Sequence, residues 1–252
     1  MISSDDLKDI YRKNKVMWKD TNRIIDKYEV ELAEKIIIKD KLDIDIHIDN
    51  KVVKVFNEYL FDTIQAVVDA KFIPLVLINA SNCPLDNVKN GLPNIENDLY
   101  RCSNISKSIN ESLYPIKDLE MIYCPNITIF KNKDNKILKN KYQISVVLSV
   151  PIDRPILIYI KDQSMVENYN NPLDELNMKT KITNIFELAV LKKYDCLILP
   201  DFGCQNSNPT NKIIDFFNDA IDKYPIKYVF FSIKKTHKND TIFESFHTLI
   251  QR

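Results

Sequence analysis

The sequence predicts a layered α/β fold, built as one domain with a helical N-terminal extension. Three observations carry that prediction. The run Pro74-Leu75-Val76-Leu77-Ile78 is continuously apolar, as a strand buried on both faces must be. The C-terminal half repeats strand, loop and helix, the order that yields a sheet with helices packed on it. Hydrophobic residues make up 45% of 252 positions, enough for a substantial core, which excludes disorder of the chain as a whole.

Residues 4 to about 30 read as one or two charged helices, with Leu7, Ile10, Tyr11 and Val16 at helical spacing. The extension is taken as 1–34 and the domain as 35–252. Ile36-Ile37-Ile38 and the alternating Ile44-Asp45-Ile46-His47-Ile48 read as short strands, the second half-exposed. Phe56, Leu60, Ile64, Val67 and Val68 mark an amphipathic helix over Val55–Ala70. After the buried strand at 74–78 comes a polar loop, 79–97, and then a helix over 98–113. Further strands are expected at 121–123, 127–130 and 144–148. Residues 151–174 read as irregular, with 156–160 extended. A helix at 178–193, a strand at 196–199, a loop at 200–208, a helix at 209–223, a strand at 227–233 and a helix at 241–250 complete the chain.

Charge and cysteine usage narrow the function. Lys plus Arg equals Asp plus Glu, 35 each, so no net field favours nucleic acid or an anionic membrane as a partner. No segment has the apolar length of a membrane span, and the start, Met1-Ile2-Ser3-Ser4-Asp5-Asp6, is not a signal peptide. Five scattered cysteines without a C-x-x-C pair predict reduced thiols inside a cell: the cytoplasm, or a host's cytoplasm for a viral chain. Histidines 47, 237 and 247 have no metal-ligand spacing, so neither a metal nor a cofactor is expected. Abundant Lys, Asn and Ile point to an AT-rich genome. Only two glycines occur, Gly91 and Gly203.

Two loops hold both glycines. The first follows the 74–78 strand, from Asn79-Ala80-Ser81-Asn82-Cys83-Pro84 through Asn90-Gly91 to Ile95-Glu96-Asn97-Asp98-Leu99-Tyr100-Arg101-Cys102-Ser103. The second is Leu199-Pro200-Asp201-Phe202-Gly203-Cys204-Gln205-Asn206-Ser207-Asn208-Pro209. The first resembles the signature segment of microbial-type poly(ADP-ribose) glycohydrolases: an Asn-x-Ala-like turn, P-G-G-G, N-G, Q-E-E and a helix with L-x-R-x-S. Pro84, Asn90, Gly91, Glu96, Leu99, Arg101 and Ser103 fall on that pattern without a gap. The second is similar to the family's L-G-A-F-G-C-G-V-F-x-N-P loop, one residue short. The resemblance spans about residues 50–250.

The resemblance implies a three-layer α/β/α macrodomain-like fold with a mixed central sheet and an ADP-ribose cleft across the carboxyl ends of its strands. It also implies ADP-ribose or an ADP-ribosylated protein as partner. Asn79, Asn90, Gly91, Asp201, Phe202, Gly203, Cys204 and Gln205 are the implied ligand-binding positions. The chain departs from the pattern where chemistry is concentrated. Leu85, Asp86 and Asn87 replace three glycines that let backbone N–H groups approach a ligand. The second of the paired glutamates, the family's general acid, is Asn97, which cannot exchange a proton. Glu96 is the candidate catalytic residue that remains, and it is equally a carboxylate favoured at a helix N-terminus. Phe202 and Cys204 fit packing as well as ligand contact. Three functions stay open: a binding module with weak or no hydrolysis, a hydrolase with its acid moved to Glu96 or Asp98, or a scaffold reused for protein interaction without a small ligand.

Overall fold

In the computed structural model the described residues are 5–6, 9, 12–13, 30–39, 42, 48–82, 94–134, 136–160, 166–235 and 241–250. A seven-stranded mixed sheet lies between two helical layers. Its strands are β1 (Glu34–Ile36), β2 (Val52–Phe56), β3 (Pro74–Asn79), β4 (Met121–Lys131), β5 (Ile137–Ser149), β8 (Cys196–Leu199) and β9 (Tyr228–Ser232), in the order β1-β4-β5-β3-β8-β9-β2. The run from β5 through β3, β8 and β9 to β2 is parallel, and β4 is antiparallel to both β5 and β1. A separate hairpin pairs β6 (Leu157–Ile160) with β7 (Val166–Tyr169).

Alternation along the strands divides the core in two, as the two-residue side-chain period requires. Leu75, Leu77, Val147, Leu197 and Phe231 face α4 (Pro172–Leu191), α5 (Thr210–Lys223) and α6 (Thr241–Leu249). Val76, Ile78, Val146, Ile198 and Phe230 face α1 (Leu60–Asp69), α2 (Ile95–Cys102) and α3 (Ile105–Ser108). Leu75, Val76 and Leu77 have no solvent exposure, which confirms the buried central strand and explains its unbroken hydrophobicity.

Several boundaries differ from the sequence reading. Val55 and Phe56 belong to strand β2, not to the helix, which begins at Leu60. Val52-Val53-Lys54-Val55-Phe56 is β-branched and alternates in burial, and its backbone pairs with β9. The helix expected over 98–113 is α2, α3 and a 3₁₀ turn, Glu111–Leu113. The break falls at Ser103, whose hydroxyl donates to the Leu99 carbonyl and accepts from the Ile105 N–H. Two expected strands join as β4 across a bulge between Cys124 and Ile127, with Asn126 at φ 52°. Helix α4 starts six residues earlier than expected, at Pro172, because Asn171 caps it and proline suits the first turn. The strand expected at 44–48 lies outside the described residues apart from Ile48, as does nearly all of the 1–34 extension. The end of that segment packs on the domain: the Ala33 N–H donates to the Ser108 carbonyl, and Glu34 opens β1.

Opposite the carboxyl ends of the parallel strands, a buried polar group ties α4 to α5. The Tyr224 hydroxyl donates to Glu187 Oε1 at 2.5 Å, and Glu187 has no exposed surface. Tyr224→Phe removes that donor and leaves a buried carboxyl oxygen without its partner. We expect a loss of about 2 kcal/mol in urea denaturation, with an unchanged slope.

Candidate ligand-binding cleft

An open cleft of about 650 Å³ runs across the carboxyl ends of the parallel strands. This is where open α/β sheets bind ligands, because the chain leaves each strand there and loops can converge. Asn79 to Asn82 enter it from β3, Val150, Pro151 and Asp153 from β5, and Pro200 and Asp201 from β8. Ser232 and Lys234 enter from β9, and Glu58 and Tyr59 from the turn after β2. The first residues of α1 (Leu60) and of α2 (Ile95, Glu96) also line it, so two helix N-termini open on the same space. The N-cap of α1, Tyr59, provides no side-chain hydrogen bond. Asn94 caps α2 by accepting from the Asn97 N–H at 2.7 Å.

Glu96 is a buried carboxyl group in the cleft wall. It is 1% exposed, and its Oε2 accepts from both the Ser81 N–H, at 2.9 Å, and the Ser81 hydroxyl, at 2.8 Å. Its Oε1 faces the Tyr114 hydroxyl at 3.5 Å. Burial pushes the carboxyl up to about 7, against the lowering effect of the Ser81 and Tyr114 hydrogen bonds. The group is therefore partly protonated at neutral pH. Burial likewise raises the Tyr100 and Tyr114 hydroxyls. Besides Glu96, the acidic side chains lining the cleft are Glu58, Asp153 and Asp201, and the basic one among the described residues is Lys234.

The second loop is a compact fold of backbone behind the cleft wall. Phe202 has φ 23° and no exposure, and it packs in the core shared with α4 and α5. Gly203 has φ 88°, and a β-carbon there would stand 2.9 Å from both Asn208 Nδ2 and Pro151 Cβ. The Gly203 carbonyl accepts from the Asn206 N–H at 2.8 Å and from Asn208 Nδ2 at 2.9 Å. Asn208 Oδ1 accepts from the Tyr169 hydroxyl at 2.8 Å, tying the loop to β7. Burial, and next the charge of Asp201, raise the Cys204 thiol well above its usual range, so it offers no thiolate nucleophile at neutral pH.

Of the predicted positions, Asn79, Glu96, Asp201 and Gln205 line the cleft together. Phe202, Gly203 and Cys204 do not reach its surface. The side chains of Phe202 and Cys204 and the β-position of Gly203 are instead packed inside the loop, where they hold its shape. Asn90 and Gly91, with Leu85, Asp86 and Asn87, lie outside the described residues. Asn97 has no exposed surface and is not part of the cleft lining. Asp98 pairs with the buried Arg101 and also does not line the cleft, so of the two substitute acids only Glu96 is placed to meet a ligand. Ser81, Glu58 and Asp153 were not singled out from the sequence. Ser81 was the most accessible of them, two residues beyond the strand-ending Asn79. Tyr114 meets Glu96 across 18 residues and leaves no local signal.

The arrangement defines a macrodomain-type fold: a mixed sheet between helical layers, with a cleft at its carboxyl edge. The chain carries the fold of the microbial poly(ADP-ribose) glycohydrolases. It matches the enzyme of Thermomonospora curvata with a TM-score of 0.71 at 14% identity, over 95% of this chain and 100% of that one. The same enzyme bound to the inhibitor ADP-HPD matches with a TM-score of 0.66 at 18% identity, over 77% of each chain. The Deinococcus radiodurans enzyme in complex with ADP-ribose matches with a TM-score of 0.63 at 14% identity, over 98% of this chain and 90% of that one. No protein-family model and no curated protein matches the sequence.

Proposed function

We propose that the protein is a macrodomain-like module that binds ADP-ribose or a related nucleotide in this cleft, free or attached to a protein, with weak or no hydrolase activity. The observation that carries the reading is the open cleft itself. It has a suitable volume and position, and Ile95 lines it without filling it. Two helix N-termini bring backbone N–H groups and positive potential to a space where a diphosphate would sit. Solved structures of the same fold hold ADP-ribose or an inhibitor. In this reading Asn79, Asp201 and Gln205 supply polar contacts, and Asn90 and Gly91 are further ligand positions implied by the family pattern. Weak hydrolysis follows from Asn97, which stands where the family pattern has its general acid and is buried away from the cleft. Among the described residues four buried free thiols support action inside a cell, and no helix there is long and apolar enough to cross a membrane.

Calorimetry with ADP-ribose tests the reading. We expect micromolar affinity, about −8 kcal/mol, weakened roughly tenfold or more by Asp201→Ala. Absence of heat from folded protein at millimolar ligand would refute it.

One observation favours a second reading, residual hydrolysis through Glu96. A carboxyl group held near neutral pH is suited to give a proton to a leaving oxygen. That reading predicts slow release of ADP-ribose from poly(ADP-ribose), abolished in Glu96→Gln. Turnover that survives the substitution would dismiss it.

A further inference from the structure

Resting on the nucleotide-binding reading, we propose that this cleft selects its ligand by the charge of the end distal to adenosine. It takes diphosphate ligands whose far end is neutral or cationic and turns away those ending in a further phosphate. The argument begins from the lining. Four loops leaving four different strands or helices each bring one carboxyl group to a single cavity: Glu58 after β2, Glu96 on α2, Asp153 after β5 and Asp201 after β8. The one cationic side chain among the described lining residues is Lys234, whose Nζ sits 5.6 Å from the centre of the Tyr59 ring and 3.4 Å from the Asn57 carbonyl.

A diphosphate in such a cavity relies on backbone N–H groups at the starts of α1 and α2, which are dipoles of fixed, limited strength. Together they amount to about one positive charge, which leaves nothing over for a further phosphate. An additional terminal phosphate would face carboxylates, and like charges a few ångströms apart in a partly dehydrated cleft repel strongly. A cationic end group meets the opposite field. Glu96 is the carboxyl group best fixed to read that end. Ser81 holds its Oε2 from two directions, Tyr114 stands beside Oε1, and it lies at the start of α2 on the cleft surface. Among the described residues its partners are Ser81 and Tyr114, both uncharged donors. Above neutral pH the group is ionised and the selection is fully expressed.

NAD⁺ and NADH are a matched pair for this test, equal in size and different by one charge on the nicotinamide ring. The experiment is calorimetry of NAD⁺, NADH, ADP-ribose and ATP against the intact chain at pH 8 in magnesium-free buffer. We expect NAD⁺ to bind roughly tenfold tighter than NADH, ADP-ribose to bind measurably, and ATP to be the weakest of the four. In Glu96→Gln the gap between NAD⁺ and NADH narrows. Asp153→Asn, at an exposed position on the rim, provides the same comparison independently of Glu96. Equal affinity for NAD⁺ and NADH, with ADP-ribose still bound, would overturn the charge selection and leave the binding reading standing. A gap unchanged in both variants would also overturn it. Failure of all four ligands to bind removes the binding reading and this inference with it.

Discussion

Replacing Glu96 with glutamine raises thermal stability above neutral pH and changes it little in acid. The ordinary value for this carboxyl group is 4.5, and in the folded protein burial lifts it to about 7. Folding therefore favours the protonated form. Below the ordinary value both states hold the proton and the group costs nothing. As pH rises from there through about 7 the unfolded chain releases its proton first, so stability falls, and above about 7 the whole cost is present. By linkage that cost is on the order of 3 kcal/mol. Glutamine carries no charge to desolvate, and its oxygen still accepts from Ser81, although its amide hydrogens need partners that the carboxylate did not. A net gain on the order of 1–2 kcal/mol at pH 8 should remain, seen as a rise of several degrees in Tm. At pH 4 the two proteins should melt together. A difference that does not vary with pH would show that the Glu96 carboxyl is not buried as described.

Gly203→Ala should be the most damaging single methyl group in the cleft region. The backbone there has φ 88°, where a side chain is strained, and the new β-carbon would stand 2.9 Å from Pro151 Cβ and Asn208 Nδ2. Neither neighbour can move cheaply. Pro151 is a rigid ring, and Asn208 bonds to Tyr169, to the Ile152 carbonyl and to the Gly203 carbonyl. Strain and overpacking together cost roughly 3 kcal/mol, which lowers Tm by roughly 10 °C for a domain of this size. Because Asp201 and Gln205 hang from the same loop, ligand affinity should fall with stability. An alanine variant as stable as the parent would mean that the loop has room to relax.

The fold was legible wherever burial alone decides the residues. The 74–78 and 196–199 runs are apolar because both faces are covered, and they are strands β3 and β8. It was illegible where two elements share one pattern: Phe56 in β2 falls in helical register with Leu60 and Ile64 of α1, so the two read as one helix. The start of α4 carried its signal in Asn171-Pro172, a cap followed by a first-turn proline, inside a stretch read as irregular. The site divided in a similar way. Asn79 and Asp201 stand at or just after strand ends and could be picked out by position, whereas Gln205 was marked only by the family's second-loop pattern. Gly203 was marked by scarcity, since few glycines survive in this composition, and its positive φ and crowded β-position show why the loop needs it. The partners of Glu96 and the acidic lining arise from contacts between distant segments, which no local pattern records.

The central claim is that the cleft at the carboxyl edge of the sheet holds a nucleotide. The most direct measurement is a crystal structure of the protein grown with ADP-ribose. The account predicts density for the ligand between the Asn79–Asn82 turn and the Pro200–Asn206 loop, with the diphosphate at the starts of α1 and α2. A cleft that stays empty at saturating ligand, or ligand bound elsewhere on the molecule, would contradict it.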